Sequence, residues 1–220
     1  MSDALILILG LIGIAGSLAI AIADLLLLVS DKRIPMIDRV GDISERSQWR
    51  VFVGGPAAAC IAFPLWAIGM IPVAYGLQGS WASWPGVIGI SLFAYIGIYA
   101  HGTFPFVGSL IGVQERYKHD ETAQEALAAV REKHDAYFRF IVLCSLVVLL
   151  VGSVFFSIAV WSGDTRYPQA FALANPFLWI LFHMSTLKWT PHGFSRWWRP
   201  MSVHLFFTPF YILSTHLLLA

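Results

Sequence analysis

Four side chains that can exchange protons or bind polar groups interrupt the most apolar stretches of this sequence: Asp24, His101, His183 and His204. Seven apolar or small residues precede Asp24 and five follow it, and His101 lies in "IGIYAHGTFPF", residues 96–106. Charged and imidazole groups are costly in hydrocarbon and usually mark functional sites when they occur there. These four residues are therefore the first candidates for a binding site, through hydrogen bonding or proton transfer.

The amino-acid composition indicates the environment that surrounds these four side chains. Of 220 residues, 58% are hydrophobic and only 12% are charged, whereas a soluble chain has about 45–50% apolar and about 25% charged residues. The chain therefore reads as a multi-pass membrane protein. Its net charge of +1 comes with no basic tract, which argues against nucleic acid as a partner.

Apolar segments near the 20 or so residues that cross a bilayer organise the whole chain. The first segment continues past Ala21-Ile22-Ala23 and has no positive residues before it, so we interpret it as a retained helix rather than a cleaved signal. We predict an all-α, six-helix transmembrane bundle that forms a single membrane domain over residues 1–220. The predicted helices cover 4–30, 51–77, 85–113, 137–161, 170–188 and 201–220.

Lysine and arginine are distributed unevenly over the linkers. They concentrate in 31–50, 114–136 and 188–199, whereas 78–84 has none and 162–169 has only Arg166. Because positive loops stay in the cytoplasm, we predict both termini on the outer side of a bacterial inner membrane. Linker 114–136 is rich in good helix formers and is predicted to form a charged cytoplasmic helical hairpin.

Three motifs in the first half of the chain resemble those of a known protein family. They are "AIADLLLL", "WRVFVGGPAAACIAFPLWAIG" and "YAHGTFPFVG". The chain resembles an uncharacterised family of bacterial six-helix membrane proteins, a domain of unknown function. The resemblance implies a compact six-helix bundle and brings no activity with it.

Depth in the membrane can be counted from the charged linkers at about 1.5 Å per residue. Asp24 then lies about 10 Å from the cytoplasmic surface and His183 and His204 about 7–8 Å, so these three share a layer. His101 is about 20 Å deep by the same count, near the midplane. We nevertheless expect His101 to contact Asp24, because no other carboxylate is predicted within the hydrocarbon.

Further residues are expected to complete a pocket that opens to the cytoplasm. Arg139 could supply the counter-charge of Asp24, and Tyr99 and Trp179 lie at depths that suit the wall of an apolar ligand site. The alternative interpretation of each histidine is a structural hydrogen bond between helices.

No metal site is predicted, although Asp24, His183 and His204 are the residues that could converge on zinc. The sequence lacks the paired-histidine spacing of metalloproteases and the Gly-x-Ser-x-Gly elbow of hydrolases, and it does not identify a cofactor.

Three functions stay open at this level. The first is a protein that binds or translocates a lipid or other apolar small molecule. The second is a membrane-embedded, lipid-modifying enzyme that uses Asp24 and the histidines as acid and base groups or metal ligands. The third is a non-catalytic subunit of a membrane complex, with the charged hairpin as its docking surface for a membrane-protein partner or a second copy of the chain.

Overall fold

The computed structural model describes residues 1–28, 48–186, 189 and 204–220, and these are helical with short turns and no strand among them. The predicted all-α class is thus confirmed. The elements are α1 (Asp3–Leu28), α2 (Gln48–Ala57), a π-helical turn (Ala58–Ala62), α3 (Phe63–Ile68), α4 (Met70–Gly76), α5 (Ser83–Gly102), α6 (Phe104–Arg116), α7 (Glu121–Trp161), a 3₁₀ turn (Gln169–Ala174), α8 (Pro176–Thr186) and α9 (Phe207–Leu219).

Among the residues that the structure describes, four helical stretches are long and apolar enough to cross a membrane. Their outward faces carry large apolar side chains, such as Leu11, Ile22 and Leu143, that are more than half exposed. Such faces are unfavourable in water and suit a hydrocarbon environment. The four stretches are Asp3–Leu27, Trp49–Gly76, Ser83–Arg116 and Glu121–Trp161.

The last two predicted spans are shorter than expected in the part of the chain that the structure describes. Helix α8 has 11 residues and α9 has 13, against about 20 for a span. The break before α8 comes from Pro176, because a residue that precedes proline avoids the helical region, and Asn175 is extended with ψ 142°. Positions 29–30, 187–188 and 201–203 of the predicted spans lie outside the described residues.

The third and fourth helices have other boundaries in the structure than the sequence predicted. Thr103 separates α5 from α6, and Pro105 follows in the first turn of α6. Helix α7 begins at Glu121, where the Asp120 side chain accepts a hydrogen bond from the Ala123 amide. Its 41 residues extend over about 60 Å, twice the roughly 30 Å hydrocarbon core. The charged first part of α7 lies beside the end of α6, because the Gln124 side-chain amide donates hydrogen bonds to the Gln114 and Tyr117 carbonyls, each at 3.0 Å.

Glycines allow the helix backbones to approach closely. A Cβ atom on Gly16 of α1 would overlap the Trp66 amide nitrogen of α3, and one on Gly89 of α5 would lie 2.5 Å from the Cα atom of Gly152 on α7. Small residues at such crossings let helices pack without a large side chain between them. These contacts bring α1 close to α3 and α5 close to α7.

The Gly54–Gly55 pair in the second half of α2 allows close packing against neighbouring helices. A Cβ atom on Gly55 would lie 2.6 Å from the Phe104 Cβ atom and 2.8 Å from the His101 carbonyl oxygen. One on Gly54 would lie 2.9 Å from the Leu27 side chain. The ends of α1 and α5 thus meet the second half of α2.

The bundle has two distinguishable ends. At the first, which we call the site end, Leu27, Gly54 and His101 lie close together. At the other, which we call the termini end, a Cβ atom on Gly10 would overlap the Thr215 side chain, and the Arg166 amide donates to the Gly76 carbonyl at 2.8 Å. The first turns of α1 and the last turns of α9 therefore lie together, with the 77–82 and 162–169 turns near them.

Candidate functional site

The Asp24 carboxylate lies between two imidazole rings at the site end. Its Oδ1 atom is 2.8 Å from Nε2 of His101, and its Oδ2 atom is 3.2 Å from Nε2 of His204. All three residues are buried, with 2%, 8% and 6% of their surface exposed. Three separate parts of the chain thus join in one acid–base cluster, and the expected contact between Asp24 and His101 is present.

Helix α1 aims Asp24 inward because it continues the buried stripe of that helix. Ile20, Ala23 and Leu27 are almost completely buried on the same side, and residues three and four apart share a face of a helix. An acidic group on this stripe cannot reach water. It must find hydrogen-bond donors within the bundle, because an unpaired buried charge costs several kcal/mol or more.

His101 is held at both ring nitrogens in the last turn of α5. Its Nδ1 atom is 2.8 Å from the Gly97 carbonyl oxygen, and its Nε2 atom faces Asp24. The ring also contacts Phe63 and Phe104, with centroid separations of 5.0 and 5.7 Å. Hydrogen bonds and packing therefore determine one orientation of this imidazole.

His204 reaches Asp24 from the helical residues that precede α9. Its ring meets the edge of Phe63 at 5.5 Å and lies 6.0 Å from Phe93. Its second ring nitrogen, Nδ1, is buried and has no hydrogen-bond partner among the residues that the structure describes. The two histidines of the cluster thus differ: both nitrogens of His101 are paired, whereas His204 has one unpaired nitrogen.

The contact between His101 and Asp24 corrects the predicted depth of His101. Counting residues from 113 made His101 about 9 Å deeper than Asp24, yet the two side chains are hydrogen-bonded. The count assumed that the third helix ends at the membrane surface. In the structure the third helical stretch continues past Thr103 to Arg116, so a count from 113 does not give the depth of His101, and the hydrogen bond places its ring beside Asp24.

His183 and Trp179 lie on α8, beside the segment that contains His204. His183 is buried, and its ring centroid is 5.4 Å from that of Phe206. Trp179 stacks on the same Phe206 ring at 5.9 Å. The structure therefore places both residues near the approach to α9, with Phe206 as their shared neighbour.

Arg139 and Tyr99 lie on outward faces. Arg139 is exposed on α7, and the groups that meet the carboxylate oxygens of Asp24 are two histidines instead. Tyr99 is 55% exposed and accepts a hydrogen bond from the Tyr137 hydroxyl at 2.6 Å. Exposure of both residues follows from the side of the helix on which they lie, which a count of depth does not give.

The residues named as possible zinc ligands, and a cleft that bears on the expected pocket, can also be located. Within the described ranges, no group of three His, Cys, Asp or Glu side chains is arranged to hold a metal ion; among the named candidates, Asp24 and His204 are in direct contact. A cleft of about 530 Å³ lies at the hairpin, not at Asp24. Its lining is Gln114, Gln124, Leu127, Ala128, Arg131, Glu132 and Asp135.

Phe63 and Gly97 were not predicted as site residues. Phe63 packs against both histidine rings, and Gly97 supplies the carbonyl that orients His101. The only sequence signal for Gly97 is its position one turn before His101, where a helix carbonyl is in reach of the ring. Phe63 has no comparable signal, because its role depends on how α3 packs against α5.

Together, the fold and the cluster define an all-helical protein with four helices suited to crossing a membrane and a buried Asp–His–His group at one end. The chain belongs to a family of unknown function, DUF6796, whose model matches residues 1–214. The comparisons with curated proteins and with solved structures gave no match.

Proposed function

We propose that this chain is a multi-pass inner-membrane protein of bacteria that binds or translocates a lipid or other apolar small molecule at the Asp24–His101–His204 cluster. The observation that carries this proposal is the carboxylate held between two imidazoles inside an apolar bundle. Pockets for apolar ligands combine aromatic walls with a few oriented polar groups. Phe63, Phe93 and the cluster have this combination.

The orientation we propose has six helices, both termini outside and the site end in the cytoplasm. Two observations support it. The termini lie at one end with turns that carry little positive charge, whereas the hairpin at the other end contains Arg116, Lys118, Arg131 and Lys133. Positive segments favour the cytoplasmic side. A reporter fused after Ala220 is expected to read as periplasmic, and a cytoplasmic signal would contradict this orientation.

Native mass spectrometry of the mildly solubilised protein tests the binding function. The wild-type protein is expected to retain a co-purified apolar molecule, and Asp24→Asn is expected to lose most of it. Asp3→Asn is the matched control, because it makes the same change on an exposed residue of the same helix. Where Asp24→Asn protein does not fold, His101→Gln replaces it. Equal retention in the wild type, both Asp variants and His101→Gln would contradict the proposal.

A membrane-embedded, lipid-modifying enzyme is the second candidate. The 2.8 Å separation between Oδ1 of Asp24 and Nε2 of His101 is short enough for proton transfer, which is what a general acid or base requires. Incubation of the protein with extracted membrane lipids, followed by mass spectrometry of the products, separates this function from simple binding. A product that forms with the wild type and not with Asp24→Asn would establish the enzyme.

A subunit of a larger membrane complex is the third candidate, and the cleft at the hairpin favours it. Arg131, Glu132 and Asp135 give this cleft charges of both signs, which suits a polar docking surface. Co-purification of a stoichiometric membrane-protein partner, or of a second copy of the chain, that is lost on Arg131→Glu would support this role.

A further inference from the structure

The hydrogen bonds of His101 determine where its hydrogens lie. The Gly97 carbonyl can only accept, so Nδ1 of His101 must carry a hydrogen. One further hydrogen lies between Nε2 of His101 and Oδ1 of Asp24, on either the nitrogen or the oxygen. In both arrangements His101 and Asp24 together are electrically neutral.

The hydrogen of His204 follows from the same pair. Oδ2 of Asp24 faces Nε2 of His204 at 3.2 Å, so this nitrogen is the donor. A second hydrogen on Nδ1 would give the buried cluster a net positive charge and a hydrogen with no acceptor, which is costly in an apolar interior. His204 is therefore the neutral tautomer, and its Nδ1 atom carries a free lone pair.

The Nδ1 atom of His204 is one of several buried side-chain atoms that lack hydrogen-bond partners in the described part of the chain, and the Nε1 atom of Trp66 and the Oγ1 atom of Thr208 are two more. Thr208 follows His204 by four residues, which places both on one helix face. Phe93 lies 6.0 Å from the rings of Trp66 and His204. Polar atoms left unpaired in a buried site are unusual and call for a ligand or an ordered water.

We infer that Nδ1 of His204 is the recognition atom for a neutral, apolar ligand with a hydroxyl group, such as a long-chain alcohol. The hydroxyl hydrogen would be donated to Nδ1, the one atom of this ring that can accept it. An ether offers no hydrogen, and a carboxylate would place negative charge against a lone pair. The inference rests on the proposed binding function and names its ligand class.

The test compares three probes that share a twelve-carbon chain: 1-dodecanol, dodecyl methyl ether and dodecanoate. They are titrated into the protein in phosphatidylcholine nanodiscs, with ¹⁵N-labelled histidine observed by NMR. We expect an unprotonated Nδ1 signal for His204 that moves with dodecanol alone. Dodecanol should bind up to about tenfold more tightly than the ether, the value of one good hydrogen bond.

His204→Gln and His216→Gln are the matched variants. The glutamine amide can still donate toward Asp24 from the position of Nε2, but it removes Nδ1, whereas His216 is exposed on α9. The preference for dodecanol over the ether should fall to about onefold in His204→Gln and persist in His216→Gln. If His204→Gln does not fold, the wild-type spectra and the three-probe comparison decide the question.

The outcomes separate this inference from the binding function on which it rests. Equal binding of dodecanol and the ether to the wild type would overturn the hydroxyl requirement and leave apolar binding intact. Tighter binding of dodecanoate, or a hydrogen found on Nδ1 of His204, would overturn the tautomer assignment. If no probe binds and no lipid co-purifies, both the inference and the proposed function are wrong.

Discussion

Buried polar groups join helices at both ends of this bundle, but the two groups differ in charge and in completeness. At the termini end, the Tyr167 hydroxyl is 2.6 Å from the Ser214 hydroxyl, and both residues are buried. At the site end, Asp24 meets His101 and His204. The first group is neutral and locally paired, whereas the second contains an acid, two bases and one nitrogen without a partner in the described residues.

The difference separates a contact that only holds helices together from one that can also do chemistry. A neutral hydroxyl pair satisfies its own atoms and contributes about 1 kcal/mol. A carboxylate between imidazoles is expensive to bury, and replacing such a group by apolar residues is often neutral or stabilising. Stability alone therefore does not explain the site end, and the Nδ1 atom of His204, which lacks a partner among the described residues, is the atom on which our proposal of ligand binding rests.

Removing the acid should have the largest effect on stability. Asp24→Asn leaves two buried imidazoles without their carboxylate, and breaking one partner of a buried pair costs about 3–5 kcal/mol. We expect a clear fall in melting temperature in detergent, measured by intrinsic tryptophan fluorescence. Asp3→Asn, exposed on the same helix, should melt like the wild type. An unchanged melting temperature for Asp24→Asn would show that the cluster is not held by charge.

Placing a large side chain beside the His101 carbonyl should have the next largest effect on stability. Gly55→Leu would force a side chain against Phe104 and the His101 carbonyl, and overpacking of this kind costs about 1–3 kcal/mol. Gly102→Ala is the control, because outside its own stretch of helix no described residue has an atom within 4 Å of a Cβ placed there. A melting temperature for Gly55→Leu equal to that of the wild type would contradict close packing in the second half of α2.

Breaking the neutral pair should have a smaller effect. Tyr167→Phe removes one hydroxyl and leaves the ring packed against Phe171, at a centroid separation of 4.6 Å. The expected loss is about 1 kcal/mol, with binding of apolar probes unchanged. The comparison of the two ends would fail if Tyr167→Phe reduced probe binding as strongly as His204→Gln.

The smallest expected effect is on how stability depends on pH in alkaline solution. Burial raises the pKa of the Tyr167 hydroxyl well above its ordinary value, so this group favours the folded state as long as it stays protonated. Its contribution is fully present below the unfolded value of about 10 and is lost as the pH rises toward the folded pKa. Melting temperatures above about pH 10 should therefore decline less steeply in Tyr167→Phe than in the wild type. Parallel curves for the two proteins would contradict this contribution.

The sequence by itself determined the helical class, the apolar helices and the choice of Asp24 and His101 as candidate site residues. Scarce charge and long apolar runs are local properties, and a carboxylate inside such a run needs a partner wherever the helix packs. The contact of Asp24 with His101 followed from the absence of another predicted acid nearby. The close packing at Gly54 and Gly55 could be predicted because glycine pairs permit it.

Only the tertiary structure decided the level of His101, the outward position of Arg139 and the unpaired nitrogen of His204. A residue count measures distance along one helix, but it gives neither the rotation of that helix nor a break such as the one at Thr103. Similarly, the short α8 depends on Ser153 and Asn175, which accept hydrogen bonds from its first amides. Which atoms meet across helices, and which one is left without a partner, is a property of packing, because residues far apart in the sequence supply both sides of each contact.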